Sequence, residues 1–151
     1  MTIPRKREMA WIIYKYHPGF AHDLTSWQTV IEQDGRLTEV VSICLASEEY
    51  RSRSLALASN LTAPDTAELT TLIAATDFDA INSLSKRHCV DDAAHISITV
   101  CDDAGTRCFH GPLLFWKWIE ERAGVTPSSE LASALRLWEK IEQLSPWKGR
   151  V

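Results

Sequence analysis

The chain has 151 residues, of which 45% are apolar and 24% charged, and its formal net charge is −4. This length and composition are typical of one globular domain with a core that is stable without metals or disulfides. The acidic balance disfavours nucleic acid as a partner, because nucleic-acid binders normally carry a basic face. No segment approaches the roughly 20 apolar residues that a membrane-spanning helix needs.

The start of the chain predicts a short tail followed by one domain. Residues 1–8 are polar, with a basic run at 5–7 that is typical of a solvated tail. Residues 9–151 contain no segment with the composition of a linker. The apolar run 9–14 is too short for a secretion signal. We therefore expect a cytoplasmic protein with reduced cysteines and no membrane association.

Strand patterns dominate the first 60 residues. Segment 11–16 is rich in β-branched and aromatic side chains, which favours a strand. Segments 25–33 and 36–45 predict two further strands joined by Asp34-Gly35, a dipeptide typical of two-residue hairpin turns. Residues 54–59 form a fourth, short candidate strand.

The predicted hairpin leaves open which of its faces is buried. Trp27 and Ile31 share one face of the second strand, since side chains alternate along a strand. Under a two-residue turn, Leu37 and Val41 fall on the opposite face of the sheet. A β-bulge would bring both sets together, so both arrangements remain possible at this point.

A helix start follows the fourth strand. Thr62 is a capping residue, Pro64 is tolerated in a first turn, and Asp65 places an anion where the helix dipole favours one. We expect this helix to end near Thr76. Residues 82–94 then predict an irregular loop.

The last third of the chain predicts one hairpin and two helices. Apolar and polar residues alternate over 95–101, and segment 106–110 returns after a turn. Segment 113–123 predicts an aromatic helix, and a second helix ends before Pro146. Because hairpins rather than crossovers join the strands, we expect an α+β fold with an antiparallel sheet and about three helices on one face.

Local catalytic signatures are absent from the sequence, including nucleophile elbows, zinc-protease motifs, phosphate loops and dinucleotide fingerprints. This absence favours binding over catalysis. Segment 88–95 is the one candidate for a small hydrolase, with Cys89 and His95 as a thiol and imidazole pair. A polar connection leading into a strand accounts for the same composition.

A second alternative is a zinc site on the hairpin 101–110. With a four-residue turn, Cys101 faces Cys108 across the hairpin, and His110 follows on the same side. Two thiolates and an imidazole are zinc ligands, and His95 or Asp91 would supply the fourth. Reduced cysteines that pack as small apolar residues explain the pattern equally. We expect no bound metal or cofactor.

The loop after the first strand is the predicted partner-binding site. It combines an aromatic tip, Phe20, with His17, His22 and Asp23. Loops carry function more often than core elements do, and an exposed aromatic residue is a suitable anchor for a protein partner. The alternative is that Phe20 folds back onto the sheet edge. Trp11 and Trp116 are further candidates for an exposed apolar patch.

Residues 10–112 resemble the emfourin-like proteins, which are small bacterial proteins. The features that carry the resemblance are Gly19-Phe20-Ala21 after a first strand, an Asp-Gly hairpin, a helix closing on Ala75-Thr76-Asp77-Phe78, and an alternating strand before a turn at Gly105. The segment from Leu113 onward departs from that pattern. The resemblance implies a non-enzymatic α+β domain, with at least one relative that inhibits a metallopeptidase. Together with the motif survey, it predicts a protein-binding module of inhibitor or immunity type whose partner is another protein.

Overall fold

Six strands and four helices make up the part of the chain that the structure, a computed structural model, describes. The described residues are 10–19, 23–45, 51–87, 93–124 and 128–147. The elements are β1 (Ala10–His17), β2 (Asp23–Glu32), β3 (Arg36–Leu45), β4 (Arg51–Asn60), α1 (Ala63–Ala74), α2 (Phe78–Arg87), β5 (His95–Asp102), β6 (Gly105–Gly111), α3 (Leu113–Arg122) and α4 (Ser129–Leu144).

The strands form one antiparallel sheet in the order β4-β3-β2-β1-β5-β6. One face of this sheet carries the buried strand residues, and helix residues pack against them in a single core. Side chains on the other face, such as Lys15, Gln28 and Ser54, are exposed. The predicted α+β fold is confirmed, with four helices instead of about three.

The extra helix is α2, which occupies much of the predicted loop 82–94. Its buried residues Phe78 and Ile81 face the core, and Asp77 accepts a hydrogen bond from the amide of Ala80 at 3.0 Å. An aspartate in this position satisfies a free amide of the first turn. For residues 82–87 the loop prediction was wrong, because this short helix is mostly polar and depends on packing against β6 for its stability. Residues 88–92 of the predicted loop lie outside the described part of the chain.

The turn between β2 and β3 has three residues, so the prediction of a two-residue turn was wrong. Gly35 holds a left-handed conformation there, with a φ of 91°. Three-residue hairpin loops commonly end on such a glycine. Ile31 then pairs with Leu37, and Trp27 pairs with Val41. The extra residue places all four side chains on the core face, which settles the question of facing.

Helix α1 begins as predicted and is tied to α4 by charges. The Thr62 side chain caps the helix, and Asp65 returns a bond to the Thr62 amide. On α4, the ammonium group of Lys140 lies 3.0 Å from Asp65 and 2.8 Å from Glu68. The bonds from Lys140 and Thr62 hold the pKa of Asp65 below its usual value. This ion-pair network fixes one side of α4.

The side chain of Glu39, on the sheet, holds the C-terminal end of α4. It lies on β3, is fully buried, and points to the core face. Its carboxylate accepts hydrogen bonds from the hydroxyls of Thr29 (2.6 Å) and Ser145 (2.7 Å) and from the amide of Trp147 (3.0 Å). A buried carboxylate is tolerated where donors of this kind replace its hydration. The chain that leaves α4 is thereby anchored on β3, the strand next to the edge strand β4.

Tyr14 makes a second polar link between the sheet and α4. It is fully buried on β1, its hydroxyl donates to Glu142, and it accepts from the indole of Trp138 at 2.9 Å. Burial, and after it the charge of Glu142, raises the pKa of Tyr14 well above its usual value. Tyr16, which stacks on Trp27 with ring centroids 4.1 Å apart, also has its pKa raised, mainly by burial.

We predict that the free energy of unfolding falls less steeply with rising alkaline pH in Tyr14→Phe than in the native protein. The folded pKa of Tyr14 lies above its unfolded value of about 10, so its contribution to stability is complete below that pH. The contribution is lost progressively as the pH rises above about 10. At neutral pH the variant should lose about 1–3 kcal/mol, because Glu142 and Trp138 lose their shared partner.

Urea denaturation between pH 7 and 11 measures this effect. Native protein and Tyr14→Phe should converge as the pH rises. Tyr16→Phe should converge with native protein to a smaller extent, because the pKa of Tyr16 is also raised but its side chain is less buried. Parallel curves for native protein and Tyr14→Phe would contradict the linkage.

Candidate functional site

Residues 20–22 of the predicted partner-binding loop, which include Phe20 and His22, lie outside the described residues. Asp23 is the first residue of β2. His17 is the last residue of β1 and is exposed, and it lies opposite His95 on the neighbouring strand β5. The structure therefore brings two imidazole-bearing positions together that the sequence left separate, and the binding role of this loop stays a prediction.

The predicted pairing of two cysteines across the β5–β6 hairpin was wrong. A two-residue turn joins the strands, with Gly105 at a φ of 107°. Cys101 is consequently opposite Thr106, and Cys108 is opposite Thr99. The predicted four-residue turn would have shifted the register by two residues. The two thiols lie on the same face of the sheet as diagonal neighbours.

The remaining members of the proposed zinc and hydrolase sites are spread along this face. His110 pairs with Ser97, whose hydroxyl lies 3.8 Å from the sulfur of Cys108. Across the described ranges, no group of three or more His, Cys, Asp or Glu side chains is placed to hold a metal ion. Residues 88–92, which include Asp91 and Cys89, lie outside the description.

A cleft of about 500 Å³ separates α1 from the tips of two hairpins. One wall is α1, and the opposite wall is the turn between β5 and β6, with Arg107 at its base. The lining consists of Trp11, Gln33, Thr66, Thr70, Ile73, Ala74, Asp102, Asp103, Ala104 and Arg107. Of these, Trp11 was predicted to join an exposed patch, and it is half-buried at the cleft.

The one cationic side chain in the described lining of this cleft is paired within the protein. The guanidinium of Arg107 lies 2.5 Å from the carboxylate of Asp102 and 5.3 Å from the ring centre of Phe78. The hydroxyls of Thr66 and Thr70 donate to carbonyl groups of their own helix. These bonds explain how the cleft wall is held, and the lining contains none of the His, Cys or Ser side chains used in nucleophilic catalysis.

Helix α3 carries the largest group of exposed apolar side chains in the described structure. Leu114 is 37% exposed, Trp118 is 50% exposed and Ile119 is 44% exposed. Leu114 and Trp118 are four residues apart and lie in one row, while Ile119 follows Trp118 directly, so the three side chains share an exposed face that spans about 140° of the helix. The opposite side of α3 is buried through Leu113 and Trp116.

Two further residues lie on the same exposed face of α3. The ring of Phe115 lies 5.9 Å from that of Trp118, and the guanidinium of Arg122 lies 4.9 Å from the Trp118 ring centre. We call Leu114, Phe115, Trp118, Ile119 and Arg122 the α3 surface. The sequence predicted an aromatic helix here but pointed to Trp116, which is buried. Only the position of the neighbouring elements decides which tryptophan of α3 faces the core.

No protein-family model matches the chain, and the search of curated proteins found no significant match. Within the described residues, none of the helices has the length and apolar character required to span a membrane. The choice of a functional site therefore depends on the exposure and chemistry of the side chains themselves.

We predict opposite effects for the two tryptophans of α3. Trp118→Ser should change the free energy of unfolding by less than about 1 kcal/mol, because half of the side chain is already in water. Trp116→Ser should cost about 3–5 kcal/mol through a cavity in the core. Chemical denaturation of both variants measures the difference. A loss for Trp118→Ser as large as that for Trp116→Ser would place Trp118 in the core.

Proposed function

We propose that the chain is a non-enzymatic protein-binding module that contacts its partner through the α3 surface. The observation that carries the proposal is the exposure of Leu114, Trp118 and Ile119 on one side of a single helix. Scattered apolar residues are normal on protein surfaces, but a contiguous patch is typical of interaction sites. Trp118 lies in the middle of the patch, and Arg122 at the C-terminal end of α3 stacks over its ring. Tryptophan and arginine are among the residues most enriched at binding hot spots.

The geometry of the α3 surface indicates how it binds. A helix of ten residues is about 15 Å long, which suits a short apolar groove on the partner. Trp118 would enter the groove as the anchor, while Leu114 and Ile119 line its walls. Arg122 holds its charge over the face of Trp118, so an acidic residue at the end of the groove would complement it.

The most concrete form of this function is an inhibitor or immunity-type protein. The resemblance to emfourin-like proteins supports this form, since at least one of them inhibits a metallopeptidase. The fold supports it as well: Leu113 and Trp116 bury one side of α3 in the core, and a preorganised surface loses little entropy on binding. The α3 surface lies after the segment 10–112 that carries the resemblance, so the partner is argued from the chemistry of this surface.

Affinity purification from the native host tests the proposal. Full-length protein should retain a second protein at a stoichiometric ratio, and Trp118→Ser should weaken that complex by at least about 30-fold. This factor corresponds to the roughly 2 kcal/mol lost when a hot-spot residue is truncated. The affinity is then measured by calorimetry with the purified partner.

Val40→Ser is the matched control, because Val40 is an apolar residue on the open sheet face with 44% exposure. It should bind the partner as the native chain does. Equal binding by the native chain, Val40→Ser and Trp118→Ser would exclude the α3 surface. Recovery of the chain with no other protein under conditions where the partner is expressed would contradict the binding function itself.

A further inference from the structure

The two edge strands of the sheet are covered to different extents. At one edge, α2 packs against β6. The side-chain amide of Asn82 on α2 donates to the carbonyl of Cys108 on β6 at 2.8 Å. A helix that covers an edge and bonds to its carbonyl groups prevents a further strand from pairing there.

The other edge, β4, has no such cover among the described residues. It pairs with β3 over ten consecutive residues without a bulge. No backbone hydrogen bond from the described loops, turns or caps reaches residues 51–60. In an antiparallel edge strand, about half of the amide and carbonyl groups point away from the sheet. The side chains of Ser54, Ala56 and Ala58 are exposed beside this edge.

The sequence of β4 carries few of the features that usually block edge pairing. Natural edge strands are protected by proline, charged side chains, bulges or shortness. The charges of β4, Arg51 and Arg53, are confined to its first three residues. Segment 51–60 is long for an edge strand and contains neither proline nor lysine. Its exposed face carries small side chains, which allow the backbone of another strand to approach.

We propose that β4 pairs with β4 of a second copy of this chain, in antiparallel orientation around Ala56. The two sheets then form one continuous sheet of twelve strands across a two-fold axis. The outward-pointing amide and carbonyl groups of each strand then pair with those of the other strand, and the two strands are equally long because they are identical. This self-association is separate from the proposed binding function of the α3 surface.

The side chains of β4 are complementary to themselves in this register. On the core face, Leu55 lies opposite Leu57 of the second copy, and Arg53 lies opposite Ser59. On the open face, Ala56 lies opposite its own counterpart. No like charges are opposed, and apolar cross-strand pairs stabilise a sheet. A register shifted to centre on Leu55 instead places Arg53 against Leu57, which replaces the two pairs between Leu55 and Leu57 with a single pair of Leu55 residues.

The central position makes a charge-exchange experiment possible. Ala56→Lys and Ala56→Glu each place like charges directly opposite one another. The dissociation constant of the dimer should therefore rise at least tenfold for each variant alone. An equimolar mixture of the two should restore the dimer, because the opposed charges then differ in sign. Sedimentation equilibrium measures the mass of the protein in solution, which is compared with 17.0 kDa for one copy of the chain.

Two controls separate this surface from others. Thr106→Lys and Thr106→Glu, on the covered edge strand β6, should dimerise as the native chain does. Trp118→Ser should do the same, because the α3 surface is not part of the proposed interface.

Four results would overturn the proposal. The first is a native chain that stays monomeric at high micromolar concentration, and the second is a dimer that neither Ala56 variant weakens. The third is an equimolar mixture of the two Ala56 variants that fails to form the dimer. The fourth is a dimer that is lost only in Trp118→Ser. The last would assign self-association to α3. Partner binding by a chain that stays monomeric would leave the proposed function intact.

Discussion

The buried carboxylate of Glu39 links the sheet to the last helix. Its three hydrogen bonds come from Thr29 on the neighbouring strand and from Ser145 and Trp147 at the end of α4. Removing these donors would leave a charge in the core, which is among the costliest defects a fold can hold. The position of α4 over the sheet, and with it the closure of the core, therefore depends on this group.

The other polar contacts of the core serve the same closure. Tyr14 joins α4 to β1 through Glu142 and Trp138, and Lys140 joins α4 to α1 through Asp65 and Glu68. These groups are thus engaged in holding the layers together. Among the described residues, the apolar side chains on α3 and the outward-pointing backbone groups of β4 are the groups we assign to partners, which is why we place function on surfaces instead of in a pocket.

Local sequence patterns predicted the elements that local physics specifies. The capping residues Thr62 and Asp65 marked α1, and strict alternation marked β5, because both signals lie within a few residues. Register and facing were less predictable. One additional residue in the turn at Gly35 moved Leu37 to the core face, and the turn before Gly105 separated the two cysteines. Likewise, the choice between Trp116 and Trp118 depends on which neighbours α3 meets, and no local pattern marks Glu39 as a buried residue.

Hydrogen exchange by mass spectrometry on the native chain and on Glu39→Leu tests the central claim most directly. In the native chain, amides of α4 should exchange as slowly as those of β3, since both open only when the core opens. In Glu39→Leu, α4 should exchange at least tenfold faster relative to β3. Fast exchange of α4 in the native chain, or an unchanged ratio in the variant, would show that Glu39 does not hold the helix on the sheet.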